Sequence, residues 1–415
     1  MERKKCKKNI NGKDSERFGK IRLISNRMLF VSLLMVVIYF VNFFFISCES
    51  AKVDPNVDNN LTSNIQMTEK MCTDFAIKMH SSLVNGDTNF INSYLDWEQL
   101  TDSSLVNHQS FSGIYSHLKS NYSVGKDLCR DIEAGGHLRF VTYYQNKDSH
   151  FIVLRLFHEP QTVNYLEFEL GTKGNSLIIK DIYDFNKSRL FSNWINNYIG
   201  YYQDCEMGWE FQVEKDEQME KEVLELISIG DLSAAYTVLN SYNGEFQKTE
   251  LYEDLEQLVI LESYNIKVVV PGLKKKLGNI SVAEKGRNLT MFYLNAYTEK
   301  YNDALINLIN LEKEVGEDGV LYYLQGNDYY EMGEWDKALN LFNQALTYES
   351  EILSFHLAKI KTLIEQGNFL SAVEALLVLD DFFTINELDW DAEFAQFPSF
   401  TASSEYQEWK KRLSH

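Results

Sequence analysis

The sequence has few prolines and lacks the short motifs that mark many catalytic sites. Only 4 of its 415 residues are proline, which is typical of a mainly helical protein. It has no glycine-rich phosphate loop, no Gly-x-Ser-x-Gly segment and no cysteine–histidine pair suited to nucleophilic catalysis. No histidines or cysteines have the spacing of a zinc site. The sequence therefore predicts no catalytic residue, no metal site and no cofactor.

Positive charge is scarce beyond residue 27. Residues 1–27 hold 10 Lys and Arg against 3 Asp and Glu, so residues 28–415 carry 30 and 57, a net charge of −27. Such an acidic surface repels polyanions, which argues against nucleic acid or anionic lipid as the main partner. Hydrophobic residues make up 45% of the chain, enough for the packed cores of two or three domains.

The longest uncharged stretch is residues 28–47, MLFVSLLMVVIYFVNFFFIS. A helix of this length can span a bilayer, and the basic residues 1–27 predict a cytoplasmic tail with the body across the membrane. At the end of this stretch, residues 45–50 (FISCES) resemble a bacterial lipoprotein cleavage site with Cys48 as the lipidated residue, although Phe45 stands where leucine is usual. An uncleaved signal-anchor is the alternative. Both predict a membrane-anchored protein whose bulk lies outside the cytoplasm, in the bacterial periplasm or cell envelope.

Cysteines are rare after Cys48. Cys72, Cys129 and Cys205 are far apart in the sequence, and an odd number allows at most one internal disulfide. Reduced, partly buried thiols are the favoured interpretation.

After a polar linker (residues 48–63), residues 64–203 predict an α+β domain. Helical spacing comes first, followed by four period-two segments at 138–145, 151–159, 163–170 and 176–185. Their short connectors predict an antiparallel sheet, and residues 186–203 predict a closing helix. The order of elements is similar to the cone-shaped domains of the cystatin-like and nuclear-transport-factor-2-like superfamilies. That resemblance implies a sheet wrapped around a helix and, in some members, a ligand pocket.

The polar residues of this domain have mainly structural interpretations. Glu167 and Glu169 alternate with apolar residues, so they are expected on a solvated strand face rather than in an acid–base or metal site. Asp181 shares its strand face with apolar residues, and Arg155 is a candidate to face it, either as a structural pair or within a pocket. The histidines of this region lack the spacing of metal ligands and are expected at the surface or in the core.

The strongest pattern lies in residues 319–351, GVLYYLQGNDYYEMGEWDKALNLFNQALTYESE. It resembles one tetratricopeptide repeat, a helix-turn-helix unit of 34 residues, although Ser350 replaces the family's proline. The resemblance implies that small residues let the paired helices approach and that large ones fill the space between repeats. The packing residues are Gly326, Tyr329, Gly333, Trp335, Ala338, Phe342 and Ala345, together with Tyr322 and Leu346.

The same period continues on both sides of this repeat. One period earlier are Tyr301 and Ala304, and one period later are Gly367, Phe369 and Ala372. A further candidate unit contains Gly230, Leu232 and Ala235. Between it and Tyr301 the pattern is degenerate, and Pro271-Gly272 is expected to break or begin a helix there. The prediction is an all-α solenoid over residues 210–385.

The resemblance also implies where such an array binds. Ligands of tetratricopeptide arrays lie in a groove formed mainly by the first helix of each unit, which points to Tyr323, Asn327, Tyr330 and Asn295 as peptide-binding residues. Tyr323 and Tyr330 have packing against a neighbouring repeat as an equal alternative. Because these helices offer few cations apart from Lys359 and Lys361, the expected ligand is a basic or neutral protein or peptide.

Residues 386–415 interrupt the period and are expected to cap the last repeat. The prediction for the whole chain is a membrane-tethered, extracytoplasmic adaptor or scaffold that is not an enzyme and binds a protein or peptide through its repeats. One alternative is a small-ligand-binding or enzymatic cone domain with the repeats as a dimerisation arm. Another is a type II protein of a eukaryotic secretory pathway, because five Asn-x-Ser/Thr sequons are present.

Overall fold

The computed structural model of the chain describes residues 66–413, except 107, 206–207, 243–245, 264, 380–381 and 384–388. The predicted anchor at residues 28–47, Cys48 and the predicted linker at 48–63 therefore lie outside the described residues. Within the described ranges, no helix combines the length and the hydropathy that crossing a bilayer requires.

The first helices cover one face of the later sheet. They are α1 (Glu69–Val84), α2 (Phe90–Tyr94), α3 (Phe111–Asn121) and α4 (Val124–Glu133). Helix α1 begins where the Thr68 hydroxyl accepts a hydrogen bond from the Met71 amide, which satisfies one of the free N–H groups of the first turn. Its buried residues recur every three or four positions, so α1 presents one apolar stripe to the core.

The sheet contains the four predicted strands and a short fifth one. They are β1 (His137–Asn146), β2 (Ser149–His158), β3 (Thr162–Lys173), β4 (Ser176–Asp184) and β5 (Arg189–Leu190). Neighbours in the sequence pair antiparallel in the order β1-β2-β3-β4-β5. Helix α5 (Phe191–Gln203) follows, as predicted, and contributes Trp194, Ile195 and Ile199 to the same core as α1.

Helical hairpins make up the next part of the chain. Their helices are α6 (Trp209–Ser228), α7 (Leu232–Ser241), α8 (Glu250–Ser263), α9 (Ile266–Asn279), α10 (Arg287–Tyr297), α11 (Tyr301–Val315), α12 (Gly319–Glu331), α13 (Trp335–Tyr348), α14 (Leu353–Glu365) and α15 (Phe369–Leu379). The last three hairpins, α10–α11, α12–α13 and α14–α15, pack on one another in chain order, so this region is a helical, solenoid-like stack.

The helix starts follow the 34-residue register. Second helices begin at Tyr301, Trp335 and Phe369, and their fourth residues, all alanine, are completely buried. The turn before each second helix has a positive φ: +58° at Glu299, +74° at Gly333 and +73° at Gly367. Because that conformation favours glycine, Glu299 holds it at some cost in strain.

The candidate unit at residue 230 has the same local structure. Gly230 has a φ of +78°, α7 begins at Leu232, and Ala235 is completely buried. The expectation that Pro271 would break or begin a helix is wrong, because α9 continues through it. Pro271 lies on the solvent-exposed side of α9, and so does Lys267, whose carbonyl loses its partner there. Water can therefore replace the missing hydrogen bond.

The end of the chain is irregular. Residues 390–401 contain α16 (Trp390–Glu393) and α17 (Pro398–Thr401), where Phe394 stacks on Trp390 with ring centroids 5.7 Å apart. Helix α18 (Ser404–Leu413) packs against α15, the last helix of the stack. Its Tyr406 and Trp409 are buried.

Candidate functional site

Both faces of the sheet are buried. The face formed by Ile152, Leu154 and Leu156 packs against α1 and its neighbours, whereas Val153 and Phe157 belong to a second core shared with the helical stack. The second core includes residues of α10, α12 and α14, the first helices of three hairpins. We call the side of these helices that meets the sheet the first-helix face.

Aromatic rings form the centre of this contact. Phe157 of β2 lies edge-on to Tyr323 of α12, with ring centroids 6.0 Å apart, and Tyr323 stacks on Phe355 of α14 at 4.8 Å. All three side chains are buried. Because such rings contribute large buried areas, they fix the sheet on two hairpins at once.

The turn between β2 and β3 is held through its backbone. The Val163 amide donates a hydrogen bond of 2.8 Å to the Tyr293 hydroxyl, which lies 3.2 Å from the Val163 carbonyl oxygen. Glu159 accepts a hydrogen bond from the Ser354 amide at the start of α14, where a carboxylate also interacts favourably with the helix dipole. The first-helix face thus binds a segment of its own chain.

A buried ion cluster lies beside this turn. The Arg155 guanidinium donates two hydrogen bonds to the Glu349 carboxylate, of 2.9 and 2.6 Å, and lies 3.7 Å from Asp318. Arg139 adds a second cation 3.3 Å from Glu349, and the Tyr165 hydroxyl donates to Asp318 at 2.8 Å. Two cations and two anions make the cluster neutral overall.

Burial and the neighbouring charges shift the pKa of Arg155 in opposite directions. Removal from water disfavours the charged guanidinium, but the carboxylates of Asp318 and Glu349 outweigh this and raise the pKa of Arg155. Burial and the neighbouring Asp318 raise the pKa of Tyr165 well above its ordinary value, so the phenol stays neutral and donates. Because each charge has an opposite neighbour, the cluster serves to join sheet and helices.

The expectation that Glu167 lies on a solvated face is wrong. It is 4% exposed and accepts hydrogen bonds from the Tyr144 hydroxyl and from Lys285, whose Nζ is 2.6 Å away. Lys285 precedes α10, so this pair is another contact between the sheet and the stack. Glu169 is only half-buried and pairs with Lys180.

Arg155 does not face Asp181, contrary to the sequence-based suggestion. Asp181 accepts hydrogen bonds from the amide and hydroxyl of Ser192, which places it at the N-terminus of α5. Burial raises its pKa. Both groups that could have lined a pocket in the α+β region thus have structural partners.

The predicted peptide-binding residues divide into two groups. Tyr323 is 4% exposed and packs in the sheet contact, and Asn295 is 6% exposed and donates to Asn307 of α11 at 2.9 Å. Asn327 and Tyr330 are half-buried, and the Tyr330 hydroxyl donates to Glu365 at 3.3 Å. The open alternative of packing therefore describes Tyr323, whereas a binding role for Asn327 and Tyr330 stays a prediction.

The predicted packing residues mostly lie in helix contacts. A Cβ at Gly326 would lie 2.5 Å from a ring carbon of Phe342, so only glycine allows this approach of α12 and α13. Trp335 differs from the prediction, because it is 36% exposed instead of filling the space between repeats. The predicted residues buried in the contacts are Gly326, Ala338, Phe342, Ala345, Ala304 and Ala372; Tyr329, Tyr301 and Phe369 are half-buried, and Gly333 and Gly367 are exposed in turns.

Other ionisable groups are buried in the helical region. Asp216 of α6 accepts hydrogen bonds from Tyr201, Tyr202 and Gln212. Asp328 of α12 is 4% exposed and one of its oxygens has no hydrogen-bond partner. Burial, with a smaller contribution from Glu331, raises the pKa of Asp328 to about 7.

The described part of the chain also contains three thiols and side chains of the types that bind metal ions. Cys72, Cys129 and Cys205 are free thiols, and burial raises the pKa of Cys72 to about 11. Among the residues that the structure describes, no three His, Cys, Asp or Glu side chains lie together in a way that could hold a metal ion.

The sequence did not lead us to predict that the chain's own β2–β3 hairpin covers the first-helix face. One signal was present, since residues 151–157 are apolar on both strand faces apart from Arg155, a pattern typical of a strand buried on both sides. Another was Tyr293, which stands one period before the groove candidate Asn327.

Comparisons with known proteins add little. No protein-family model matches the chain, and no curated protein matches its sequence. Among solved structures, the chain is similar to MamA AMB-1 with 15% identity, covering 44% of this chain and 98% of that one, at a TM-score of 0.30. At that score the likeness supports no argument about function, and membership of the tetratricopeptide family stays a prediction.

Proposed function

We propose that this protein is a non-catalytic scaffold that binds an extended segment of another polypeptide on the first-helix face, next to its own β2–β3 turn. The observation that carries the proposal is that this face already holds a polypeptide. Tyr293 hydrogen-bonds the backbone of Val163, and Tyr323 packs against Phe157. The face therefore has the chemistry to bind a main chain and aromatic side chains.

The proposed site lies along the same helices, beyond the part that the sheet covers. Tyr323 is followed on α12 by Asn327 and Tyr330, one and two helical turns further on, and both are half-buried. Lys361 of α14 stands one period after Asn327 and is also half-buried. An amide beside a phenol suits an extended segment, because the amide can hydrogen-bond its backbone and the ring can cover an apolar side chain.

The negative charge of this chain indicates which class of ligand it can bind. Glu331 follows Tyr330 on α12, Glu365 accepts the hydrogen bond of the Tyr330 hydroxyl, and residues 28–415 carry a net charge of −27. One lysine does not reverse this field. The expected ligand is therefore a neutral or basic polypeptide. For a basic one, association should slow as salt concentration rises, because salt screens its attraction to the acidic chain.

A peptide library displayed on phage tests the proposal. Peptides enriched on the full-length chain should be neutral or basic, and Tyr330→Ala should weaken their binding by about tenfold or more, as expected for an aromatic anchor. The matched control is Ile309→Ala, on the second helix α11, where the side chain is 46% exposed. That variant should bind like the wild type.

Tyr323→Ala separates packing from binding. Because Tyr323 lies in the core, its truncation should lower the free energy of unfolding by about 3–5 kcal/mol, whereas Tyr330→Ala, at a half-buried position beside the same core, should lower it clearly less. If no peptide is enriched, or if enriched peptides bind equally well to Tyr330→Ala, the proposal is wrong.

We further propose that the scaffold is tethered to a membrane by residues 28–47 and acts outside the cytoplasm, with Cys48 as the lipidation site if that segment is removed. The length of residues 28–47, their lack of charge and the basic residues before them support the tether. Fractionation of cells that produce the full chain, compared with a chain lacking residues 28–47, tests it. Recovery of both in the same fraction would reject the tether.

A further inference from the structure

The two edges of the sheet differ in how far other parts of the chain cover their backbone groups. At the β4 edge, Leu95 forms a bridge with Ile179, the Asp96 amide donates to the Ile179 carbonyl at 3.0 Å, and β5 covers the end of the strand. At the other edge, β1 pairs with β2 on one side. On its outer side, no backbone hydrogen bond from the described ranges reaches it.

The pairing identifies the backbone groups that point outward. Asn146 and Ser149 flank a two-residue turn, so they form a hydrogen-bonded pair, and alternation places the Gln145 and Tyr143 backbone groups on the outer side. After the bulge between Phe140 and Thr142, the same alternation turns Phe140 outward.

Side chains occupy part of this outer row. His80 contacts the Leu138 carbonyl at 3.0 Å, which confirms the alternation and closes that end of the strand. The Thr142 hydroxyl contacts the Tyr143 carbonyl at 3.3 Å. The open row thus runs from Phe140 to Gln145, and its amides are available for a new strand.

The sequence of this row does little to block strand addition. Residues 140–145, FVTYYQ, contain no charge, no proline and no glycine. Natural sheet edges are usually protected by lysine, proline or inward-turned charge. Arg139, which precedes the row, is already engaged by Glu349 and the Tyr348 carbonyl. Lys285, 3.1 Å from the Tyr144 hydroxyl, is held by Glu167. The bulge gives modest protection.

We propose that a second copy of this chain pairs with β1 in antiparallel register, making a dimer with one continuous sheet. A two-fold axis places β1 of one copy opposite β1 of the other. A charged residue near the axis would therefore lie close to a residue of the same charge. Because an outward residue must lie opposite another outward residue, an axis at Tyr144 sets Tyr143 opposite Gln145 and Tyr144 opposite its own copy. No pair of like charges results, and an aromatic cross-strand pair forms.

The chain's own preceding segment is a poorer occupant. Residues 51–63, AKVDPNVDNNLTS, are rich in Asn and Asp and contain a proline, all of which are unfavourable in strands. A strand from this segment would protect β1 at any protein concentration, whereas a second copy protects it only when the dimer forms. This difference decides between the two occupants.

The experiment measures hydrogen exchange and mass together, on the full-length chain in a non-ionic detergent. Exchange of the peptide covering residues 138–146 should slow as protein concentration rises, and sedimentation should show a dimer over the same range. Gln145→Pro removes an outward amide and leaves the β1–β2 backbone hydrogen bonds in place, because the Gln145 amide faces away from β2. The hydrogen bond from its side chain to the Lys147 carbonyl is lost in Gln145→Pro and in Gln145→Ala alike. It should weaken the dimer by about tenfold or more.

Gln145→Ala is the matched control and should dimerise like the wild type. A monomer at every concentration would overturn the proposal, and so would slow exchange that does not depend on concentration. A dimer that survives Gln145→Pro would place the interface elsewhere, for example in residues 28–47. Should the proline variant misfold, the exchange measurement on the wild type still decides.

Discussion

Arg155 offers the sharpest test of how the sheet and the helical stack are joined. Its side chain is completely buried, and it donates two hydrogen bonds of 2.9 and 2.6 Å to Glu349 across this interface. Arg155→Met keeps much of the apolar stem but removes the charge. Asp318 and Glu349 would then remain buried with Arg139 as their remaining cationic neighbour.

The expected loss follows from the uncompensated charge. Removing one member of a buried ion pair costs about 3–5 kcal/mol, because the carboxylates cannot regain water. The cost should shrink as the pH falls, since protonation relieves the carboxylates left without their partner. The double variant Arg155→Met with Glu349→Gln should recover part of the loss, because it buries fewer unpaired charges.

Urea unfolding followed by circular dichroism measures these differences, with Lys70→Ala as the control. Lys70 forms a surface pair with Asp74 in which both side chains are more than half exposed, so its removal should cost under about 1 kcal/mol. An Arg155→Met variant that costs no more than this control, or a double variant less stable than the single one, would contradict a joining role for the buried ion cluster.

Two further predictions concern the helical stack. Asp328→Asn should stabilise the protein at pH 8 by up to about 4 kcal/mol and change little at pH 4, because the folded pKa of about 7 lies above the unfolded value and the carboxylate must ionise while buried; an unchanged pH dependence of the urea midpoint would contradict this. Ala338→Trp should lower stability by about 1–3 kcal/mol or more by overfilling the contact between paired helices, and Ala304 and Ala372, equally buried at the same repeat position, should respond alike in thermal melts. Tolerance of tryptophan at all three would contradict the helix contacts.

The features that could be predicted from the sequence are the local ones. Second helices begin at Tyr301, Trp335 and Phe369 because each repeat carries its own turn and its own alanine contact, and neither depends on distant residues. The four long strands were equally visible from their alternation and their turns. Their pairing followed from connectors too short for anything except antiparallel neighbours.

The features that failed depend on partners far away in the sequence. Glu167 was expected in water because its strand alternates, but its partner Lys285 lies 118 residues further on. Arg155 pairs with Glu349, 194 residues away. Pro271 is tolerated in a helix because the carbonyl that loses its hydrogen bond there faces solvent. The local sequence does not show which side of the helix faces solvent. The period of a sequence pattern shows which side of a helix or strand differs in polarity from the other sides. It does not show which residues cover that side.

The sheet contact also changes how the proposed binding site should behave. In a simple repeat array each hairpin contacts its neighbours alone, so the groove can change its curvature. Here one sheet contacts three first helices together, through Tyr293 of α10, Tyr323 of α12 and the Ser354 amide of α14. The spacing between these helices is therefore fixed before any ligand arrives. Because Asn327 and Tyr330 continue the same helix, a ligand would meet a face that is already ordered, which lowers the conformational cost of binding.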